Sequence, residues 1–513
     1  MNDEFKTSAD TVCISEKVLD TTEELPLERD IVLPDYFPDV FRVLRCTVSP
    51  SADTQTVSGD KLTYGVRAVI RVLYLTEGSR RINCIEQETV LTRTAELSGD
   101  CPDPEVYTDL SCRGVTCRVK GSRRMDVRAT VCAAVKVCCR KEKEILTSGS
   151  GCGIQLRRQT VTCPVKRLTA SKRVTVIQQT ALPDGKPPVG TVLRTGCTVT
   201  RSEQRIVAGK LAVKGDAELE VLYSCVDKAG EDTVQTLRFD LPFSQIIDME
   251  GVDDSFDVTA RVTPAGCTLI AGSGSENTAE WEAALNVFCT AEKQGTVTGV
   301  TDVFSTEYEC TAESTVTVNA GRQESVSVTA AAEHTLSAPD GTVGSIYDCC
   351  GECTRPAVRK EEGKYLFTGS AELSVLGEGS EGGIFCVSGV CVYEAALNVP
   401  DGCTVSDARA EVTGCSYYLG EGGSIKVRAE IRISCVQSAG GEVDLISAVK
   451  LDRSAPAVRS GNCAVRLCRC GSDEDIWDIA KRFRTSVEAL TEDNELTGGS
   501  DSPNGRLILI QNP

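Results

Sequence analysis

The chain repeats itself, and the repeat length limits the folds open to it. Leu33-Pro34-Asp35-Tyr36-Phe37-Pro38-Asp39-Val40 returns as Leu182-Pro183-Asp184-Gly185-Lys186-Pro187-Pro188-Val189, an offset of 149 residues. Val72-Leu73-Tyr74 returns with the same offset at Val221-Leu222-Tyr223. A third copy aligns with the second at an offset of 154, where GKLAVKGDAELEVLY (209–223) matches GKYLFTGSAELSVLG (363–377). Further on, Val127–Cys138, Trp281–Cys289 and Val427–Cys435 read as one strand present three times. We read Cys138, Cys289 and Cys435, with Cys117, Cys267 and Cys415, as packing positions inherited by duplication, since catalysis has no use for one thiol three times.

The strand candidates alternate apolar and polar residues and are rich in β-branched side chains, as in Leu62–Tyr74, Leu211–Tyr223 and Ile425–Ile433. Turn signals such as Pro339-Asp340-Gly341, Glu381-Gly382-Gly383 and Glu421-Gly422-Gly423 separate them. Such alternation predicts antiparallel sheets with one wet face. The fold class expected is therefore mainly β: three antiparallel sandwich-like repeats of about 150 residues each. Their expected bounds are 1–160, 161–305 and 306–451, followed by a Ser-, Ala-, Pro- and Gly-containing linker at 452–462 and a distinct module at 463–513. The alternation does not decide whether each repeat is one sandwich or two half-domains.

That last module has the only helical pattern. Ile476, Trp477, Ile479, Ala480 and Phe483 share one face, and Asp473 or Asp475 can cap its start. Thr485-Ser486-Val487-Glu488 reads as a capping box that opens a second short helix. Flanking strands at Ala464–Cys468 and Arg506–Ile510 complete a β-α-α-β order, with Trp477 expected to anchor the small core.

Composition removes several function classes. His334 is the only histidine, so His-dependent triads and multi-histidine metal sites are excluded. No phosphate loop or nucleophile elbow is present; Gly209-Lys210-Leu211 lacks the first glycine and the hydroxyl of such a loop. No catalytic residue, metal ligand or cofactor is therefore assigned, and an enzyme is not expected. A net charge of −19 argues against a nucleic-acid partner. No run of about 18 apolar residues predicts membrane insertion, and the N-terminus has no secretory leader pattern.

The charge is uneven. Residues 1–165 carry a net −1 and residues 463–513 a net −3, so −15 falls on the second and third repeats with their linker. This is read as a solvated acidic face or as a surface for a basic partner. The 27 cysteines, in a chain without an export signal, are expected to be reduced thiols, free to cross-link once the environment turns oxidising.

Two resemblances add to this reading. The C-terminal module resembles the LysM domain through Ile476–Phe483, Ser486–Leu490, Asn494 and Gly505–Ile510. That family binds N-acetylglucosamine chains in a groove beside the first helix. Its usual Gly-Asp-Thr entrance is here Asp473-Glu474-Asp475, a charged lip better suited to basic protein groups than to a neutral glycan. The candidate contacts are Asp473, Glu474, Asp475 and Ile476, with Asn494 and Leu496 opposite.

The repeats resemble SPOCS domains, modules of spore-coat proteins, most clearly through Leu33–Val40, Arg42–Leu44 and the Gly59–Tyr74 strand pair. Repeated SPOCS-like units with a terminal LysM-like module resemble a clostridial family of coat morphogenetic proteins. The resemblance implies a scaffold of the mother-cell cytoplasm, recruited to the forespore surface. Its partners would be a coat ATPase of the stage IV sporulation protein A type, and other coat proteins or a second copy. The alternative it leaves open is a peptidoglycan anchor of the wall or cortex.

Overall fold

The computed structural model describes residues 5–101, 103–183, 185–271, 278–457, 464–471, 474–496 and 506–511. It is mainly β, in antiparallel sheets, as the alternation predicts. The first unit contains β1 (Lys6–Val32), β2 (Arg42–Ser58), β3 (Lys61–Leu75), β4 (Ile82–Glu96), β5 (Pro104–Gly121) and β6 (Arg124–Ser150). One of its sheets has the order β1-β6-β5, and the other, inserted between β1 and β5, the order β2-β3-β4. The second unit copies this plan with β7 (Ile154–Ala181), β8 (Thr191–Val207), β9 (Lys210–Val226), β10 (Asp232–Ile247), β11 (Asp257–Ala271) and β12 (Thr278–Ser305). The expected first boundary, at 160, thus falls inside β7.

The third unit departs from the plan at its long strands. In the first two units a single strand pairs with its partner along 27 or 28 residues. Here the corresponding strand is cut into β13 (Tyr308–Asn319) and β14 (Gln323–Ser337). After β15 (Ser345–Cys353), β16 (Ala357–Glu361), β17 (Lys364–Glu378), β18 (Ile384–Asn398) and β19 (Thr404–Leu419), the return strand is cut likewise into β20 (Ser424–Ser438) and β21 (Glu442–Pro456). Gly321, at φ +84°, makes the cut: a Cβ there would lie 1.6 Å from the Ala439 carbonyl oxygen. The expected linker at 452–462 begins inside β21.

Each unit is one two-sheet sandwich. In the first, Leu25, Leu27 and Ile31 of β1 and Val127, Val131 and Val135 of β6 pack on Leu62, Tyr64, Val66, Ala68, Ile70 and Val72 of β3. The period-2 burial along β3 is the alternation read from the sequence. β6, β12 and β20, centre strands of their sheets, carry the repeated segment beginning at Val127, Trp281 and Val427. Counted from those residues, Cys289 and Cys435 occupy the same step, but Cys138 lies three further on. The residue matching Cys289 is therefore Val135, so Cys138 is not the first copy of the position that Cys289 and Cys435 share. All four are buried.

The period fails where the units meet. At the end of β3, Leu73 and Leu75 are buried on the face opposite the sandwich core. They join Ile82, Leu193, Leu222, Leu376 and Ile384, so that all three inserted sheets share one apolar junction. Leu73, Leu222 and Leu376 are at most 4% exposed, and burial of each contributes about 2 kcal/mol. A second junction joins the long strands through Val12, Ile145, Val161, Val297, Val316 and Leu445.

Charged groups fix the same contacts. Arg45 lies opposite Leu73, Arg194 opposite Leu222 and Asp348 opposite Leu376, each at a register shift of its strand. The three corresponding positions converge. Arg194 donates to both Asp348 oxygens (2.9 and 2.7 Å) and to Glu220 (2.8 Å), while Arg45 approaches Asp348 at 3.6 Å and donates to the Cys350 sulfur at 2.9 Å. Between the first and second units, Arg167 holds Glu105 (3.0 and 2.8 Å) and Glu292 (2.6 Å), both carboxylates being buried. Burial of Arg167 disfavours its charge, but the two carboxylates outweigh this and hold it firmly protonated.

Candidate partner-binding site

The C-terminal module consists of β22 (Val465–Arg469), α1 (Ile476–Phe483), α2 (Val487–Asp493) and β23 (Leu507–Gln511), with β22 and β23 antiparallel. The β-α-α-β order is as expected. Asp475 is the N-cap of α1: it accepts from the Asp478 amide at 2.9 Å and donates its own amide to Asp478 at 3.2 Å, a reciprocal capping box. The α2 cap is Ser486, which accepts from Ala489 N at 3.1 Å, so this helix starts one residue later than the box read at Thr485. Trp477 is 8% exposed and lies in a core with Ile479, Ala480, Leu490, Ile508 and Ile510.

That core includes Phe304 from the end of β12. Its ring meets Trp477 edge-on, with centroids 4.9 Å apart and planes at 67°. The Trp477 indole donates to Asp302 at 2.8 Å, and Lys481 pairs with the same carboxylate at 2.7 Å. Arg484 pairs with Glu309 at 2.8 Å, and the Val487 amide donates to Gln155 at 3.3 Å. The module is thus seated on the strand ends of the second and third units. Burial of Asp302 opposes its ionisation, but bonds from Lys481, Trp477 and the Val303 amide outweigh this and hold its carboxyl below the usual carboxylate value.

Of the lip residues, Asp473 lies outside the described residues. Glu474 accepts from Gly471 N at 3.2 Å and pairs with Arg482 at 2.5 Å. Asp475, besides capping α1, pairs with Arg157 of β7 at 2.8 Å, so the lip borders the second unit. Ile476 is half-buried against the module core. Asn494 donates to the carbonyls of Leu490 (2.8 Å) and Leu509 (2.7 Å) and accepts from Leu509 N (2.6 Å), tying α2 to β23. Leu496 is buried in the same core.

Sequence reasoning missed a second surface. Ile508 and Ile510 point into the core, so the other face of the β22–β23 sheet presents Val465, Leu467 and Leu507, more than half exposed. The alternation within Leu507-Ile508-Leu509-Ile510 carried that signal. No group of three or more His, Cys, Asp or Glu side chains among the described residues could hold a metal ion. No helix among them is long and apolar enough to cross a membrane.

Residues 188–270 match the family model described as SipL, SPOCS domain. The matched stretch runs from the start of the second unit's inserted sheet into β11, whereas the likeness read from sequence was clearest in the first unit. No curated protein and no solved structure matches the chain. Residues 188–270 are thus similar to a SPOCS domain, a likeness that suggests a role related to the spore coat.

Proposed function

We propose that the protein is a non-enzymatic scaffold of spore-coat assembly, in which three SPOCS-like sandwiches form a rigid body and a LysM-like module presents the surface for a protein partner. The match at 188–270 carries this reading, because the same two-sheet plan recurs in the units on either side of it. The partner is a coat ATPase of the stage IV sporulation protein A type. It meets the Asp473–Ile476 rim and the exposed Val465, Leu467 and Leu507 face, a combination of charge and apolar surface suited to protein recognition. Val390 and Val392 on edge strand β18, at 62% and 74% exposure, supply a further surface for other coat proteins or a second copy. Recruitment runs from the mother-cell cytoplasm to the forespore surface.

The test uses the full chain against the purified ATPase and, separately, peptidoglycan. Leu467→Glu with Leu507→Glu is expected to weaken ATPase binding at least tenfold while the melting profile is kept, and Glu474→Lys to weaken it less. Unchanged affinity in both variants removes these surfaces from the proposal. Retention on peptidoglycan without ATPase binding would establish the wall-anchor alternative.

A further inference from the structure

The position after Arg45, Arg194 and Asp348 is occupied by Cys46, Thr195 and Cys349, opposite Val72, Val221 and Val375 of the inserted sheets. On the facing sheet, Cys117, Cys267 and Cys415 each follow the bulge of β5, β11 and β19. In every unit these two positions meet across the sandwich. Thr195 donates its hydroxyl hydrogen to the Cys267 carbonyl at 2.9 Å. In the first and third units both positions are cysteines, Cys46 with Cys117 and Cys349 with Cys415, and each pair packs against the core between its two sheets. Cys349 also reaches the Ser416 carbonyl at 4.0 Å, and a Cβ built on Gly351 would lie 3.5 Å from the Cys415 sulfur.

We infer that Cys46–Cys117 and Cys349–Cys415 are two oxidation sites, each closed to a disulfide by a peroxide and each stapling the two sheets of its sandwich together. The partners are 71 and 66 residues apart in sequence, so each bond closes a long loop. All four thiols are part-exposed. The neighbouring Cys46 and Cys349 thiols hold Cys117 and Cys415 below their ordinary value despite burial, which favours the attacking thiolate. In the second unit, where Thr195 takes the place of that thiol, burial pushes Cys267 up to about 12. Cys101 and Cys139, in the core of the first unit, are buried and shielded from oxidant.

The chemistry balances with one hydrogen peroxide per bond. The Cys117 thiolate attacks one peroxide oxygen, the O–O bond breaks, and the departing hydroxide takes up the thiol's proton as water. The Cys46 sulfur then attacks the sulfenic sulfur, the S–S bond forms, and the S–O bond breaks. Hydroxide leaves with the Cys46 proton as a second water. The two sulfurs give up two electrons and the peroxide accepts them.

The experiment treats the reduced full chain with about two equivalents of hydrogen peroxide, alkylates the remaining thiols and maps peptides without reduction. Cys46–Cys117 and Cys349–Cys415 linked peptides are expected, with the free thiols falling by four from 27. Thr195→Cys should add a third link, to Cys267. The oxidised chain should melt higher than the reduced one, and Cys46→Ser with Cys349→Ser should abolish that shift while the reduced melting profile stays. Links formed only between chains, links scattered over other cysteines, or Cys117 and Cys415 still open to alkylation would each overturn the inference.

Discussion

Arg194 grips Asp348 through two parallel hydrogen bonds, and in doing so ties the second unit to the third at the junction of the inserted sheets. Asp348 is 7% exposed, and Arg45 of the first unit lies on the same carboxylate. Asp348→Ala would strand two poorly solvated guanidinium groups beside each other. The expected loss is about 3–5 kcal/mol in denaturant unfolding. Arg45→Met and Arg194→Met combined with Asp348→Leu should recover most of it, since a packed apolar cluster escapes the desolvation penalty.

The ion pairs between units are not equal. Arg167→Ala leaves Glu105 and Glu292 buried without their cation and should cost about 3 kcal/mol or more. Arg322 and Asp257 also bridge two units at 2.9 Å, but their side chains are 60% and 44% exposed. Arg322→Ala should change stability by less than about 1 kcal/mol. Thermal unfolding of the two variants side by side checks the contrast.

Gly321→Ala is expected to be among the most damaging turn substitutions, costing more than about 3 kcal/mol. It meets the Ala439 carbonyl as well as the strain of a positive φ. Gly363, at φ +78° with nothing within 4 Å, serves as the control: Gly363→Ala bears the backbone strain alone, about 1 kcal/mol. Equal losses in urea titrations would mean that the close approach at Gly321 relaxes freely.

Acid should loosen the C-terminal module. The folded Asp302 carboxyl titrates below its unfolded counterpart, so its contribution is complete above the ordinary carboxylate value near 4. It is lost as the pH falls through the lower, folded value. Trp477 fluorescence should therefore report release below about pH 4, after the other indole, Trp281, is accounted for by a Trp477→Phe control. Asp302→Ala leaves the buried Trp477 N–H without its acceptor and should loosen the seat at pH 7 by about 1–3 kcal/mol.

How far the sequence could be read depended on the kind of interaction. Alternation along Leu62–Tyr74 gave β3 its buried face, because a half-buried strand writes its environment with period 2. The helical face from Ile476 to Phe483 gave the module core for the same reason. Contacts between units left a fainter trace. The unbroken Val72-Leu73-Tyr74-Leu75 run marks burial on both faces, and the offsets 149 and 154 align Arg45, Arg194 and Asp348, so the junction could have been found from the repeats. Nothing local announces that Phe304 and Asp302 receive Trp477, since that contact joins segments about 175 residues apart. The lip shows the opposite limit. Its charge was visible, but its intramolecular partners Arg157 and Arg482 were not.

The meeting of Arg45, Arg194 and Asp348 also bears on why three copies share one polypeptide. Three separate, identical subunits arranged in this way would bring the same side chain to the centre three times, and three arginines or three aspartates would repel one another. Covalent fusion lets one copy change sign while the other two keep theirs. The order of the copies along the chain then acquires meaning, because the acidic position belongs to the third alone. A permuted chain would fold equivalent sandwiches from the same repeats, yet it would keep this centre only where each residue stayed with its own neighbours.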